Sequence, residues 1–310
     1  MPTIPLYDSP ADPNAWHRVR SPGGYEWWHF DTVTDDGGTG VSAFLFAAMP
    51  HHVQMLAKYR RYARRPTQNE PPRPADYAQA TVRLYRDSVA LSTHHRVAPF
   101  EPAATGIGGN IGEDSFSIAH DGTITLSIGD RSKFAVELQF TSPQIPAIEF
   151  ELFSGHHWVL PTPRCEVRGT IWTAQNASPF IATGYLDHYW GLRPPAVDID
   201  QWLGGRVMLD DTVLLFHMLS LKGPQHEGVM RLVKLTATGL EEQPVRSAGV
   251  AEAPAWPWRR FLPTSVSIGD LQLVSPRLIS SEGNIREFSY DAKYQGHTGR
   301  AFVTLFEPNV

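Results

Sequence analysis

Short segments of alternating apolar and polar residues, each closed by a turn signal, recur along most of the chain. This recurrence limits the fold more than any other feature. Phe134, Val136, Leu138 and Phe140 keep period 2 over seven positions. Ser115-Phe-Ser-Ile and Thr123-Ile-Thr-Leu-Ser-Ile flank Asp121-Gly122 and read as a hairpin. Val41–Ala47 reads as a buried strand after the turn at 35–38, and Ala80–Arg86 alternates. Arg206–Leu209 and Val213–Leu219 read as a hairpin around Asp210-Asp211-Thr212, and Met230–Thr236 and Gly299–Glu307 as further strands. With 26 Pro and 25 Gly, long helices are disfavoured. One helix is expected, at 51–64, followed by a Pro-rich loop from Pro66 to Pro74. Strands this closely spaced predict an all-β, mainly antiparallel protein of barrels or sandwiches rather than βαβ units.

A chain of 310 residues accommodates two domains, and 42% hydrophobic residues supply their cores. Ser142-Pro-Gln-Ile-Pro-Ala and Leu160-Pro-Thr-Pro are candidate junctions. We place the boundary near 155, giving domains 1–155 and 156–310. A net charge of −5 calls for neither nucleic acid nor a membrane surface as main partner. Lys58, Arg60, Arg61, Arg64 and Arg65 form a local basic cluster, read as a solvated surface or as a patch for acidic headgroups or an anionic substrate. No run approaches the ~20 apolar residues of a membrane span. The N-terminus lacks the basic start and apolar run of a signal peptide, and the single Cys165 cannot form an internal disulfide, so a cytoplasmic location is expected.

The glycine run 106–112 misses the dinucleotide-binding spacing by one position and lacks a βαβ setting. Walker A, G-x-S-x-G and H-E-x-x-H patterns are missing from the sequence. Cys165 has no CxxC partner, and the pairs at 51–52, 94–95 and 156–157 would point their imidazoles to opposite faces of a strand. We therefore expect no cofactor and no metal.

Three aromatic and titratable clusters remain. In Tyr25-Glu-Trp-Trp-His-Phe-Asp31, strand alternation places Tyr25, Trp27, His29 and Asp31 on one face, with Glu26, Trp28 and Phe30 on the other. A carboxylate among indoles has either a raised pKa or a bound donor. The second cluster is His156-His157-Trp158. The third is Gly184–Gly191, where Tyr185, Asp187 and Tyr189 share one face and His188 and Trp190 the other. Trp202 and His217 follow on nearby strands. Each cluster alone fits a packing strand. Together they suggest a small-molecule site, and all three are expected to converge on one pocket.

These residues resemble a known family. Tyr25–Asp31, His156-His-Trp-x-x-Pro-x-Pro-x-x-x-Val167 and Gly184-Tyr-Leu-Asp-His-Tyr-Trp-Gly191 resemble, in order, motifs of the lipocalin-like carotenoid 1,2-hydratase (hydroxyneurosporene synthase) and AttH superfamily, as do Arg259-Arg-Phe-Leu-Pro and Tyr294-Gln-Gly. The resemblance spans about residues 20–306. It implies two lipocalin-like β domains and a hydrophobic substrate: a polyene, polyketide or isoprenoid. Peripheral membrane contact is compatible with such a substrate. Two activities follow from the resemblance: hydration of an isolated C=C bond, and [4+2] closure of a polyene by decalin-forming Diels-Alderase-type cyclases. Asp187-His188-Tyr189, where the hydratases tend to Asp-Thr-Asn, lies nearer the cyclase branch. Asp187, Glu26, His188 and Tyr185 are the catalytic candidates, with Asp187 as the acid in hydration. The remaining candidates named above would bind substrate. A carrier of lipid-like ligands would need the same pocket but no acid.

Overall fold

The computed structural model describes residues 5–104, 107–142, 147–174, 176–209, 212–223, 228–236, 239–255, 260–282 and 284–307. It is an all-β protein of two lipocalin-like β domains, and every pairing is antiparallel. The first comprises β1 (Tyr25–Val33), β2 (Thr39–Ala48), α1 (Val53–Arg64), β3 (Gln79–Arg86), β4 (Val89–Val97), β5 (Phe100–Pro102), β6 (Ile107–Ile111), β7 (Asp114–Ile118), β8 (Ile124–Asp130), β9 (Phe134–Thr141), β10 (Ile148–Phe153), β11 (His156–Thr173) and β12 (Asn176–Gly191). The second comprises β13 (Ile199–Leu209), β14 (Val213–Leu221), β15 (Gly228–Thr236), β16 (Gly239–Gln243), β17 (Ala248–Ala255), β18 (Arg260–Ile268), β19 (Leu271–Glu282), β20 (Ile285–Tyr294) and β21 (His297–Phe306).

The first sheet runs β4-β3-β2-β1-β12-β11-β9-β8-β7-β6-β5, with β10 also pairing β11. The strands join neighbours through tight turns. At the β1–β2 turn, Gly38 N–H donates to Asp36 Oδ1 at 2.8 Å, and Gly37 takes φ +68°, where a side chain would strain the backbone. The β7–β8 hairpin closes on Asp121, whose Oδ1 accepts from Thr123 N–H at 2.9 Å. One face of this sheet encloses a core that includes Trp28, Phe30, Leu45, Phe116, Phe140 and Leu186. The segment before β1 lies against this core. Trp16 packs on it, and Trp28 Nε1 donates to the Asn14 carbonyl at 3.3 Å. In α1, Met55 and Leu56 are buried, while Arg60, Arg61, Arg64 and Arg65 are exposed; Lys58 pairs with Glu70 at 2.9 Å.

The second sheet runs β16-β15-β14-β13-β21-β20-β19-β18-β17 around its own core of Leu203, Phe216, Phe288, Tyr290 and neighbours. The expected turn at 210–211 and Arg259 lie outside the described residues.

Compact units divide at 197/198, not near 155. Residue 155 falls in the turn between β10 and β11, two hydrogen-bonded strands of the first sheet. Leu160-Pro-Thr-Pro is not a linker either. It lies inside β11, where register shifts occur between Val159 and Thr162 and again between Thr162 and Cys165. Prolines are tolerated within a strand where a bulge relieves them of ladder bonds.

Candidate functional site

Strands β2, β1, β12 and β11 lie side by side, and their register aligns the three sequence clusters. Tyr25 stands opposite Gly191 and Gly191 opposite His156; Trp27 opposite Tyr189 and Tyr189 opposite Trp158; His29 opposite Asp187; Asp31 opposite Tyr185. Partners in register share a face. These nine side-chain-bearing residues therefore belong to one face, opposite the Trp28–Leu186 core. Glu26, Trp28, His157, His188 and Trp190 belong to the other. The expected single pocket is thus corrected. The clusters do converge in the sheet, but period 2 divides them, and the catalytic candidates separate as Asp187 with Tyr185 and Glu26 with His188.

On the first face, Asp187 is the centre. Its Oδ2 accepts from Tyr185 OH at 2.7 Å and from Trp158 Nε1 at 3.2 Å. His29 Nδ1 lies 3.3 Å from Oδ1, and Tyr189 adds a further hydrogen bond. Burial pushes this carboxyl up, but His29, Tyr189 and Tyr185 together outweigh it and hold the pKa below the ordinary value. Burial and the Asp187 charge drive the Tyr189 phenol well above its ordinary value, so it stays a neutral donor. The donors around it thus favour Asp187 in its carboxylate form.

Aromatic rings extend outward from this carboxylate. Trp27 stacks on Tyr189 with centroids 4.7 Å apart, and Tyr25 lies 5.1 Å from Trp27. Tyr25 OH meets His156 Nδ1 at 2.7 Å across Gly191. A Cβ at Gly191 would stand 2.6 Å from the Tyr25 ring, so glycine is required there. His29 stacks on Phe44 at 4.3 Å and 11°, and these two are among the partly exposed members of the face. Asp31 is buried and accepts from Tyr85 OH at 3.4 Å.

On the opposite face, Glu26 Oε1 accepts the His17 backbone N–H at 2.7 Å and lies 3.1 Å from His188 Nε2. Burial pushes the Glu26 carboxyl up, and the two imidazoles more than offset it, leaving its pKa lowered. Burial also lowers the pKa of His188, against the pull of Glu26. Trp190 is sandwiched between His157 (3.8 Å) and His17 (4.4 Å), and its Nε1 donates to Glu149 at 3.0 Å. Trp202 and His217 belong to the second unit, where Trp202 Nε1 donates to His217 Nδ1 at 2.9 Å.

The sequence reading missed His17, Glu149, Phe44, Phe46 and Tyr85. Phe44 and Phe46 carry a period-2 signal on β2, obscured because the whole segment is apolar. His17 and Glu149 reach their partners from outside the motifs, and no local pattern marks them.

In fold, the chain matches an AttH protein of Nitrosomonas europaea with a TM-score of 0.69 and 16% identity, over 99% of both chains. The fold is that of the AttH-like proteins. CghA shares it: with Sch210972, TM-score 0.66 at 13% identity over 97% of this chain and 94% of CghA; without it, 0.67 at 13% over 98% and 94%. In sequence, the chain is 26% identical over 239 residues to a hydroxyneurosporene dehydrogenase of Chlorobaculum tepidum. That match covers 67% of this chain, which spans only 60% of the relative's length. No family model matches the sequence. Among the described residues, no helix is long and apolar enough to cross a membrane.

Proposed function

We propose that this protein is a biosynthetic enzyme that holds a hydrophobic polyene-type molecule against the Asp187 face and folds it for [4+2] ring closure. The observation that carries this reading is the Asp187–His29 pair set among stacked rings. A carboxylate fixed by several donors orients the imidazole, and the flat surfaces of Trp27, Tyr189 and Phe44 suit a conjugated chain. His29, oriented by Asp187, would hydrogen-bond a substrate carbonyl and withdraw electron density from the adjoining double bond. Holding diene and dienophile together supplies the rest. Effective molarities of about 10⁵ M correspond to roughly 7 kcal/mol. Ring closure of this type moves no electrons to or from a cofactor. The likeness to CghA, solved with the small molecule Sch210972, supports a ligand-binding role for the fold.

A second reading is hydration of an isolated double bond. It is favoured by the sequence match to a protein named for hydroxyneurosporene, a hydroxylated polyene. Because Asp187 is held ionised, an imidazolium at His29 would have to supply the proton.

Incubation of the purified protein with linear polyenes bearing an activated double bond, in ¹⁸O-labelled water, tests both. Ring closure gives an unlabelled isomer of the substrate. Hydration gives a product heavier by one labelled water. Return of an unchanged ligand that nevertheless binds would indicate a carrier and overturn both enzymatic readings.

A further inference from the structure

The Glu26 face holds a cluster that the proposed chemistry does not use. His17, Glu26 and His188 are all buried, and one ligand atom from each lies within 4.8 Å of the others. They come from three places: the segment before β1, β1 itself, and β12. His17 Nδ1 is 3.3 Å from Glu26 Oε1, and His188 Nε2 is 3.1 Å from it. Neighbouring ligands of a tetrahedral ion with bonds of about 2.0–2.1 Å stand about 3.3 Å apart, so these two spacings already match.

The surroundings fix the rings. His17 stacks on Trp190 at 4.4 Å, and His188 stacks on Trp28 at 4.5 Å and 11°. The His17 backbone N–H donates to Glu26 Oε1, an outer partner of the kind that orients a ligating carboxylate. The second carboxylate oxygen, Oε2, is buried and accepts no hydrogen bond among the described residues. An orphaned oxygen on a buried carboxylate is costly, and ligation through both oxygens of Glu26 would relieve it.

We propose that His17, Glu26 and His188 form a binding site for one zinc-type divalent cation, which ties the segment before β1 to β1 and β12. Two imidazoles and a carboxylate without a thiolate suit Zn²⁺ or Co²⁺ better than Cu(I), Ca²⁺ or Mg²⁺. The role is structural, because all three ligands are closed off from solvent and lie on the core side of the sheet, away from Asp187. His17 is also a point of leverage. Its carbonyl accepts from Asp8 N–H at 2.6 Å, and Arg20 N–H donates to Leu6 at 2.7 Å, so fixing His17 fixes the loop 6–20. The inference is independent of which reaction the Asp187 face performs.

The test uses full-length, tag-free protein stripped with a chelator. Titration with Zn²⁺ should show saturable binding of one equivalent and raise Tm by several degrees. Co²⁺ should give visible absorption bands, and X-ray absorption of the Zn²⁺ form should count two imidazoles. His17→Ala should abolish that binding, while His120→Gln, a control at an exposed position, should leave it intact. No saturable binding, a site holding fewer than two imidazoles, or binding unchanged in His17→Ala would each overturn the proposal. If His17→Ala does not fold, the ligand count on the unsubstituted protein decides alone.

Discussion

The two faces of strands β1 and β12 hold nearly the same residue types and use them in opposite ways. Each has a buried carboxylate, an imidazole partner and stacked indoles. On one, Asp187 is surrounded by donors from its own sheet, with His29 partly exposed beside it. On the other, Glu26 is gripped by the segment before β1 through His17, with every partner buried. The contrast teaches that an aromatic-plus-acid motif is two-sided: one side can carry chemistry while the other holds the chain together.

Four experiments would break or sharpen this contrast. The largest effect is expected from Trp28→Ala on the core face. Trp28 is fully buried against Phe116 and His188, so the change should cost about 3–5 kcal/mol in denaturant unfolding. Trp27→Ala, one residue along on the other face, should lose ligand binding instead, and equal losses of stability would erase the distinction. Next, Asp187→Asn should lower turnover about 100-fold, roughly 2.7 kcal/mol, while near-UV circular dichroism stays native. Unchanged turnover would remove Asp187 from the reaction.

The third concerns pH. His188 is buried neutral, so below its ordinary 6.5 the unfolded chain binds a proton that the folded chain does not, and stability falls as pH drops. Glu26 acts in the same direction. Its depressed pKa contributes stability in full above its ordinary 4.5, and that contribution is lost as pH falls through the folded value. Tm should thus decline from about pH 6.5 and more steeply below 4.5, and His188→Asn should flatten the upper part of the curve. A Tm independent of pH between 6.5 and 4.5 would contradict the buried neutral imidazole. The smallest effect is expected from Tyr85→Phe, which removes hydrogen bonds to Asp31 and the Thr32 carbonyl and should cost about 1 kcal/mol. A much larger loss would make Asp31 a second anchored carboxylate of the first face.

The division between faces was legible in Tyr25–Asp31 and Gly184–Gly191, because strand alternation is a local property. The helix at 53–64, the loop after Pro66 and the hairpin around Asp121-Gly122 were legible for the same reason: backbone preference and turn chemistry act over a few residues. What could not be read is what depends on pairing across the chain. His17 reaches Glu26 and His188 only because the segment before β1 folds over the core. Glu149 reaches Trp190 only because β10 pairs with β11. The boundary near 155 followed proline-containing segments as if they marked a linker, whereas here Pro161 and Pro163 sit at strand irregularities. Among the donors around Asp187, the phenols of Tyr185 and Tyr189 were foreseeable, since both share its strand face. The number of donors, and hence the sign of its pKa shift, was not.

The two irregularities in β11 also mark where the strand can take up spare chain. Between Val159 and Cys165 the strand twice places three residues against two of β12. Each extra residue is absorbed where it occurs, because the pairs beyond it stand in register again, so Trp158 stays beside Asp187 while Cys165 and Val167 enter the core. In relatives of this chain, insertions and deletions should therefore gather between positions 160 and 164. The uninterrupted pairing from Cys165 to Thr173 should keep its length.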